Sequence, residues 1–150
     1  MKYFALLALS LLLAVSASAQ TKSLLNLDKH GVAIQAYDPV AFFTDSKPVK
    51  GKAEFHAEHG GATYWFASAE HQALFTKTPE KYEPQFGGYC AYGVSKNKLI
   101  EIDVDAFQIV DGKLLLPYST GVRKVFNKDA AGNLNKAKAN WPSLVREKGK

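Results

Sequence analysis

The stretch Thr63-Tyr64-Trp65-Phe66-Ala67-Ser68-Ala69-Glu70-His71 changes from a strand pattern to a helix pattern. Its first four residues are β-branched or aromatic, which is typical of a β-strand. Ser68 then predicts the N-cap of a helix over about 69–78, and Glu70 complements the positive end of that helix. His71 shares an apolar helix face with Phe75, four residues later. A strand followed directly by a capped helix indicates a mixed α and β fold.

The segments on the N-terminal side predict less regular structure. Residues 20–29 are polar and are expected to form a loose arm. Residues 31–37 have the pattern of a strand that ends at Asp38-Pro39, because proline cannot continue a strand ladder. His56 and His59, separated by two residues before Gly60-Gly61, fit a short surface helix on which both imidazoles would face one way.

The segments on the C-terminal side predict a hairpin and two helices. Residues 107–116 form the hairpin, since Asp111-Gly112 is favoured in two-residue type I′ turns. Ile109 is expected opposite Leu114, and the other hairpin face is expected to meet water. Ser119 predicts a helix cap, and a last helix is expected after Asp129 that ends before Pro142.

These elements predict a small single α+β domain of short antiparallel strands and hairpins with short helices, because no βαβ rhythm is present. The sequence shows no internal repeat. Its formal net charge of +5 comes from scattered lysines, with a cluster at the C-terminus that is typical of a solvated face. Nucleic-acid binding is therefore not expected, and we expect a monomer.

The N-terminus has the pattern of an export signal. Lys2 precedes an apolar run over 3–15, and Ala17-Ser18-Ala19 provides a small-residue cleavage site. The run is shorter than the roughly 20 residues that a membrane-spanning helix needs. We therefore expect residues 1–19 to be removed, leaving a periplasmic or secreted chain of residues 20–150 with no membrane span; an uncleaved anchor is the alternative.

Cys90, in Gly87-Gly88-Tyr89-Cys90-Ala91-Tyr92-Gly93, is the only cysteine of the chain. Exported proteins normally pair their cysteines or avoid them. A solitary cysteine is a buried inert thiol, a reactive thiol or a soft metal ligand, and the residues alone leave the three alternatives open.

Three motifs resemble the YHS domain, a small module related to TRASH-type metal-binding domains: Asp38-Pro39-Val40, Tyr64-Trp65-Phe66-Ala67-Ser68 and Pro79-Glu80-Lys81-Tyr82. The resemblance covers a core of about 37–82. The remainder, with a hairpin and helices over about 99–146, is similar to exported stand-alone YHS domain-containing proteins. The resemblance implies one YHS-type domain over 20–150.

Metal-binding members of that family carry cysteines at three positions where this chain has Ala41, Ala67 and His71. A closed tetrahedral thiolate site is therefore not implied. One imidazole remains, and Cys90 lies outside the matched segment. The resulting hypothesis is copper or zinc bound by Cys90 and His71, with a carboxylate from Asp38 or Glu70 nearby; His56 and His59 form a weaker candidate pair.

Two other functions stay open. Cys90 activated by His71 would be a competent nucleophile or peroxide reductant, although the chain has no resolving cysteine and no standard catalytic motif. The tyrosines near the candidate site are also compatible with a metal-free protein-interaction module. We therefore predict an exported non-enzymatic binding protein with copper as the leading ligand, and no catalytic residue is assigned.

Overall fold

The computed structural model describes residues 21–150, so the predicted signal peptide over 1–19 lies outside the described residues. The predicted α+β fold is confirmed, with α-helices and two antiparallel hairpins in one domain. None of the helices in this part of the chain has the length and apolar character needed to cross a bilayer. The strands and helices are β1 (Lys52–His59), β2 (Ala62–Phe66), β3 (Gln108–Val110), β4 (Lys113–Leu115), α1 (Ala41–Thr44), α2 (Ala69–Lys77), α3 (Pro79–Tyr82), α4 (Ala91–Ser95), α5 (Thr120–Asn127) and α6 (Ala130–Lys148).

The first hairpin pairs β1 with β2 through a two-residue turn at Gly60-Gly61. Both glycines have positive φ, 59° and 90°, a conformation that glycine adopts without a steric penalty. His59 pairs with Ala62 across the turn. The predicted surface helix around His56 and His59 is therefore wrong, because the turn and the cross-strand bonds hold this segment in a strand.

The second hairpin pairs β3 with β4 and confirms the predicted register of Ile109 opposite Leu114. Asp111 and Gly112 have φ values of 50° and 71°, as a type I′ turn requires. The expectation that the face with Gln108 and Lys113 meets water is confirmed at Lys113, which is exposed, whereas Leu115 on the same face is 1% exposed. The reason is that β4 lies between two apolar clusters and packs against both.

The core consists of these two clusters. The first packs the aromatic side chains of β2 and α2 against Leu114 and Leu116. The second packs α4, α5 and α6 against Leu115, with Trp141 at its edge. Because adjacent residues of an extended segment point to opposite faces, one strand serves both clusters.

The two predicted serine caps are confirmed, and the last helix begins after Asp129 as expected. The Oγ atoms of Ser68 and Ser119 accept backbone N–H bonds at 3.2 and 3.1 Å, and Asp129 caps α6 in the same way at 3.0 Å. The predicted end of the last helix before Pro142 is wrong, since α6 continues to Lys148. Proline removes one backbone bond, and burial of Leu144 in the second cluster offsets that loss.

Two predictions for the N-terminal segment are wrong. Residues 31–37 are not a strand, because Ile34–Ala36 form a 3-10 turn with positive φ at all three residues. The described part of the predicted loose arm is held in place. Leu24 is buried, Ser23 exchanges backbone bonds with Lys150 at 3.1 and 3.0 Å, and Asn26 donates its N–H to Gly87. These long-range contacts have no local sequence signal.

Candidate functional site

A buried carboxylate forms the base of the candidate site. Asp38 is fully buried, and its backbone N–H donates to the carbonyl oxygen of Val49 at 2.8 Å. Its Oδ1 accepts the N–H groups of Val40 at 2.8 Å and Ala41 at 3.4 Å, at the start of the short helix α1. Oδ2 accepts the N–H of Ala67 at 2.8 Å. Asp38 therefore joins the start of α1 to the end of β2.

His71 completes the environment of this carboxylate. It lies in the first turn of α2, where the Ser68 cap receives its backbone N–H. The Nδ1 atom of His71 lies 2.6 Å from Oδ2 of Asp38. The histidine side chain is 14% exposed, so the ring lies between the buried carboxylate and the surface.

The buried carboxylate determines the direction of the imidazole. An ionised carboxylate only accepts hydrogen bonds, so we assign a proton to Nδ1 of His71. The opposite nitrogen, Nε2, lies 3.3 Å from Oγ1 of Thr44 and 4.0 Å from Oδ1 of Asp45. In the neutral ring Nε2 carries a lone pair beside these two oxygens, and it can accept a proton or bind a cation.

Thr44 and Asp45 are the site residues that the sequence reasoning missed. They lie at the C-terminal end of α1, directly after the apolar run that follows Asp38-Pro39. Thr44 also donates its hydroxyl to Asp45 at 2.8 Å. The sequence signal that could have found them is their position, since these two polar side chains follow the candidate ligand Asp38 by six and seven residues.

Cys90 has a different environment. It is 1% exposed and precedes α4, with its backbone N–H donating to Ile100 at 3.0 Å. The backbone N–H of Tyr118 donates to Sγ of Cys90 at 3.3 Å. Within residues 21–150 no hydrogen bond joins Cys90 to His71, and the two side chains share no bonding partner.

The predicted metal set is therefore only partly assembled. Asp38 and His71 are in contact, whereas Cys90 bonds elsewhere and Glu70 makes no ion pair or side-chain hydrogen bond in the described part of the chain. Nowhere in residues 21–150 do three His, Cys, Asp or Glu side chains come together as a metal-binding group.

The weaker candidate pair, His56 and His59, lies on β1. Residues three apart on a strand point to opposite faces, so one ion cannot bridge the two imidazoles. His56 bonds the carbonyl oxygen of Ala53 at 2.8 Å, and His59 pairs with Glu83 at 3.2 Å. Both rings thus have local partners.

Two surface clefts of about 520 and 560 Å³ flank the N-terminal segment, and both are lined by Leu24 and Leu25. Neither cleft includes His71 or Cys90. Tyr64 lines the smaller one, and burial, together with the nearby Glu83 carboxylate, raises the pKa of its hydroxyl above the usual range. The clefts are therefore separate from the Asp38–His71 pair.

Comparison with protein-family models, with curated proteins and with solved structures finds no match to this chain.

Proposed function

We propose that this chain is an exported, non-enzymatic binding protein whose site is centred on Nε2 of His71, with a transition-metal cation such as copper or zinc as its ligand. The observation that carries the proposal is the 2.6 Å contact between Nδ1 of His71 and the buried carboxylate of Asp38. The YHS-like motifs around both residues support the same reading.

A carboxylate behind a histidine is the arrangement that orients imidazole ligands in metal sites. It fixes the tautomer and the orientation of the ring. The four contacts of the Asp38 carboxylate occupy both of its oxygens, so Asp38 acts as this orienting group and not as a ligand itself.

Asp45 supplies a second donor. Its Oδ1 is 4.0 Å from Nε2 of His71 and its side chain is 37% exposed, so a small movement of that side chain would bring both atoms to the roughly 3.4 Å that separates two tetrahedral ligands of one cation. Imidazole and carboxylate together suit copper(II) or zinc. Water or a partner protein would supply the remaining ligands, as expected for an open and exchangeable site.

The thiol-dependent enzyme is less well supported than the binding protein. A thiol nucleophile needs an exposed sulfur near a base, whereas Cys90 is 1% exposed and its sulfur accepts the N–H of Tyr118. In this proposal Cys90 therefore takes no part in the site.

Metal titration of the exported protein, purified without a His-tag, tests the proposal. We expect copper(II) to bind with one equivalent, His71→Gln to abolish binding, and Asp38→Asn to weaken it by about 10–100-fold. His30→Gln, at an exposed histidine, is the matched control, and Cys90→Ser is expected to bind like the unaltered protein. Absence of binding, or binding that His71→Gln leaves intact, would overturn the metal site and favour the metal-free interaction module.

A further inference from the structure

We propose that residues 32–83 and 84–134 are two copies of one structural unit, and that Cys90 occupies in the second copy the position that Asp38 occupies in the first. Cys90 is then an anchoring residue of the fold. The proposal rests on backbone hydrogen bonds, strand register and burial, and it does not depend on metal binding.

Both copies open with the same left-handed turn. Ile34–Ala36 and Phe86 to Gly88 each have three consecutive positive φ values, and three in a row are rare. The turn closes in the first copy with the N–H of Tyr37 donating to Ile34 at 2.9 Å. In the second copy the N–H of Tyr89 donates to Phe86 at 3.0 Å.

The residue after each tyrosine makes equivalent bonds. The N–H of Asp38 donates to Val49 at 2.8 Å, and the N–H of Cys90 donates to Ile100 at 3.0 Å. Each side chain then accepts a backbone N–H from the residue before a helix-capping serine. Oδ2 of Asp38 accepts from Ala67 at 2.8 Å, and Sγ of Cys90 accepts from Tyr118 at 3.3 Å.

The two hairpins have the same register around two-residue turns. Three cross-strand pairs of the first hairpin correspond in order to three of the second. They are Ala57–Tyr64 and Gln108–Leu115, Glu58–Thr63 and Ile109–Leu114, and His59–Ala62 and Val110–Lys113. Each hairpin also receives one parallel bridge from the residue two positions before its copy's left-handed turn. Val32 bridges to Thr63, and Pro84 bridges to Leu114.

The correspondence continues through the helices. Ser68 caps α2 by accepting the N–H of His71, and Ser119 caps α5 by accepting the N–H of Val122. Phe75 and Phe126 are each 1% exposed. The residues that precede the next helix, Thr78 and Asp129, have nearly identical backbone angles: φ −145° and ψ 69° against φ −149° and ψ 67°.

The matched positions keep one spacing, about 51 residues, from Val49 and Ile100 to Thr78 and Asp129. Independent elements would not reproduce the order, the spacing, the register and the capping bonds together. The expectation that the chain has no repeat is therefore replaced. The repeat is not visible in the sequence because few matched positions carry the same residue. The identical positions are Tyr37 and Tyr89, Gly61 and Gly112, Ser68 and Ser119, Phe75 and Phe126, and Lys77 and Lys128.

The repeat assigns different roles to the two copies. Val122 stands where His71 stands, so the second copy has neither the carboxylate nor the imidazole of the first. The second copy retains a hydrogen-bond acceptor for the backbone N–H before the capping serine. There Sγ of Cys90 takes the place of Oδ2 of Asp38. Only the first copy is equipped for a polar ligand, and Cys90 holds α4 against the start of α5.

Transplanting the pair between copies tests the equivalence. Cys90→Asp alone buries a carboxylate without its imidazole and should lower the urea midpoint. Adding Val122→His should recover at least half of that loss, because the new side chains would meet as Asp38 and His71 do. Cys90→Asp with Val125→His, on an exposed position of the same helix, is the matched control and should show no recovery. Equal midpoints for the two double variants would overturn the equivalence.

Hydrogen exchange on the unaltered protein decides the question if the variants do not fold. Tyr118 is 55% exposed, yet its N–H donates to the buried sulfur of Cys90. We expect the amides of Ala67 and Tyr118 to exchange at least 100-fold more slowly than in an unstructured peptide. Exchange of the Tyr118 amide at the unprotected rate would overturn the anchoring role of Cys90.

Discussion

At the scale of single residues, Asp38 illustrates how a charge is kept inside a small domain. A buried carboxylate is costly unless hydrogen bonds compensate it, and here three backbone N–H groups and one imidazole do so. The sequence indicated Asp38 as a candidate ligand. The structure uses the same carboxylate to hold α1, β2 and α2 in contact, so the role proposed for Asp38 behind His71 is linked to its structural role.

Replacing Asp38 by alanine should cost about 3–5 kcal/mol of the free energy of unfolding, because the buried histidine nitrogen and the N–H of Ala67 lose their acceptor. Urea denaturation measures this loss. The control is Asp45→Ala, at an exposed position beside the same histidine, which should cost less than about 1 kcal/mol. Equal losses for the two variants would contradict the anchoring role of Asp38.

Cys90 and Tyr118 show what residue patterns cannot reveal. From the sequence, the Cys90 thiol could be inert, reactive or metal-binding, because the choice depends on which groups lie around the sulfur in the folded chain. Its hydrogen-bond donor lies 28 positions away in the chain. By contrast, the pairing of Asp38 with His71 was partly expected, since a carboxylate from Asp38 or Glu70 was predicted beside the imidazole.

At the scale of elements, local signals predicted the correct structure. Ser68 and Ser119 cap their helices, and Asp111-Gly112 forms the hairpin turn, because each of these effects acts within about four residues. The structure also contains the predicted strand at Ala62–Phe66 and the predicted helix at Ala69–Lys77.

Elements that depend on distant partners were predicted wrongly. Residues 31–37 have the sequence pattern of a strand, but a left-handed turn at Ile34–Ala36 interrupts the extended backbone. After this turn, the side chain of Asp38 accepts the N–H of Ala67. The segment around His56 follows its hairpin partner instead of its helical spacing. Pro142 does not end α6, because the following turn buries Leu144.

The left-handed turn before Cys90 requires glycine at one position in particular. Gly87 has a φ of 59°, and a Cβ added there would overlap the backbone carbonyl oxygen of Leu24. Gly31, at φ 81°, has nothing within 4 Å of such a Cβ. A side chain at Gly31 would therefore cause conformational strain alone, whereas a side chain at Gly87 would cause both strain and steric overlap.

We expect Gly31→Ala to cost about 1–2 kcal/mol through strain alone. Gly87→Ala should cost a further 1–3 kcal/mol or so, because the N-terminal segment must move away from its turn. Denaturation midpoints of the two variants measure the difference. Equal losses would show that the contact between Gly87 and Leu24 does not constrain the fold.

At the scale of the whole molecule, the two apolar clusters are coupled by the second hairpin. Leu114 and Leu116 belong to the first cluster, and Leu115 belongs to the second. The pairing of Ser23 with Lys150 adds a connection across the second cluster. If the two copies arose from one unit, the second copy supplies Leu114 and Leu116 to the cluster of the first copy, so the first copy does not bury its core alone.

The coupling predicts one cooperative unfolding transition. The chain has one tryptophan in each half. Trp65 lies on β2 between Tyr64 and Phe66, which belong to the first cluster, and Trp141 packs against Phe86 in the second cluster. Single-tryptophan variants, Trp65→Phe and Trp141→Phe, report the two clusters separately. Their fluorescence should give coincident normalised urea curves after correction for any difference in stability.

Leu115→Ala, added to each variant, should lower the free energy of unfolding reported by both tryptophans equally, by about 2–5 kcal/mol, because β4 serves both clusters. A midpoint that moves only for Trp141 would show that the two halves unfold independently.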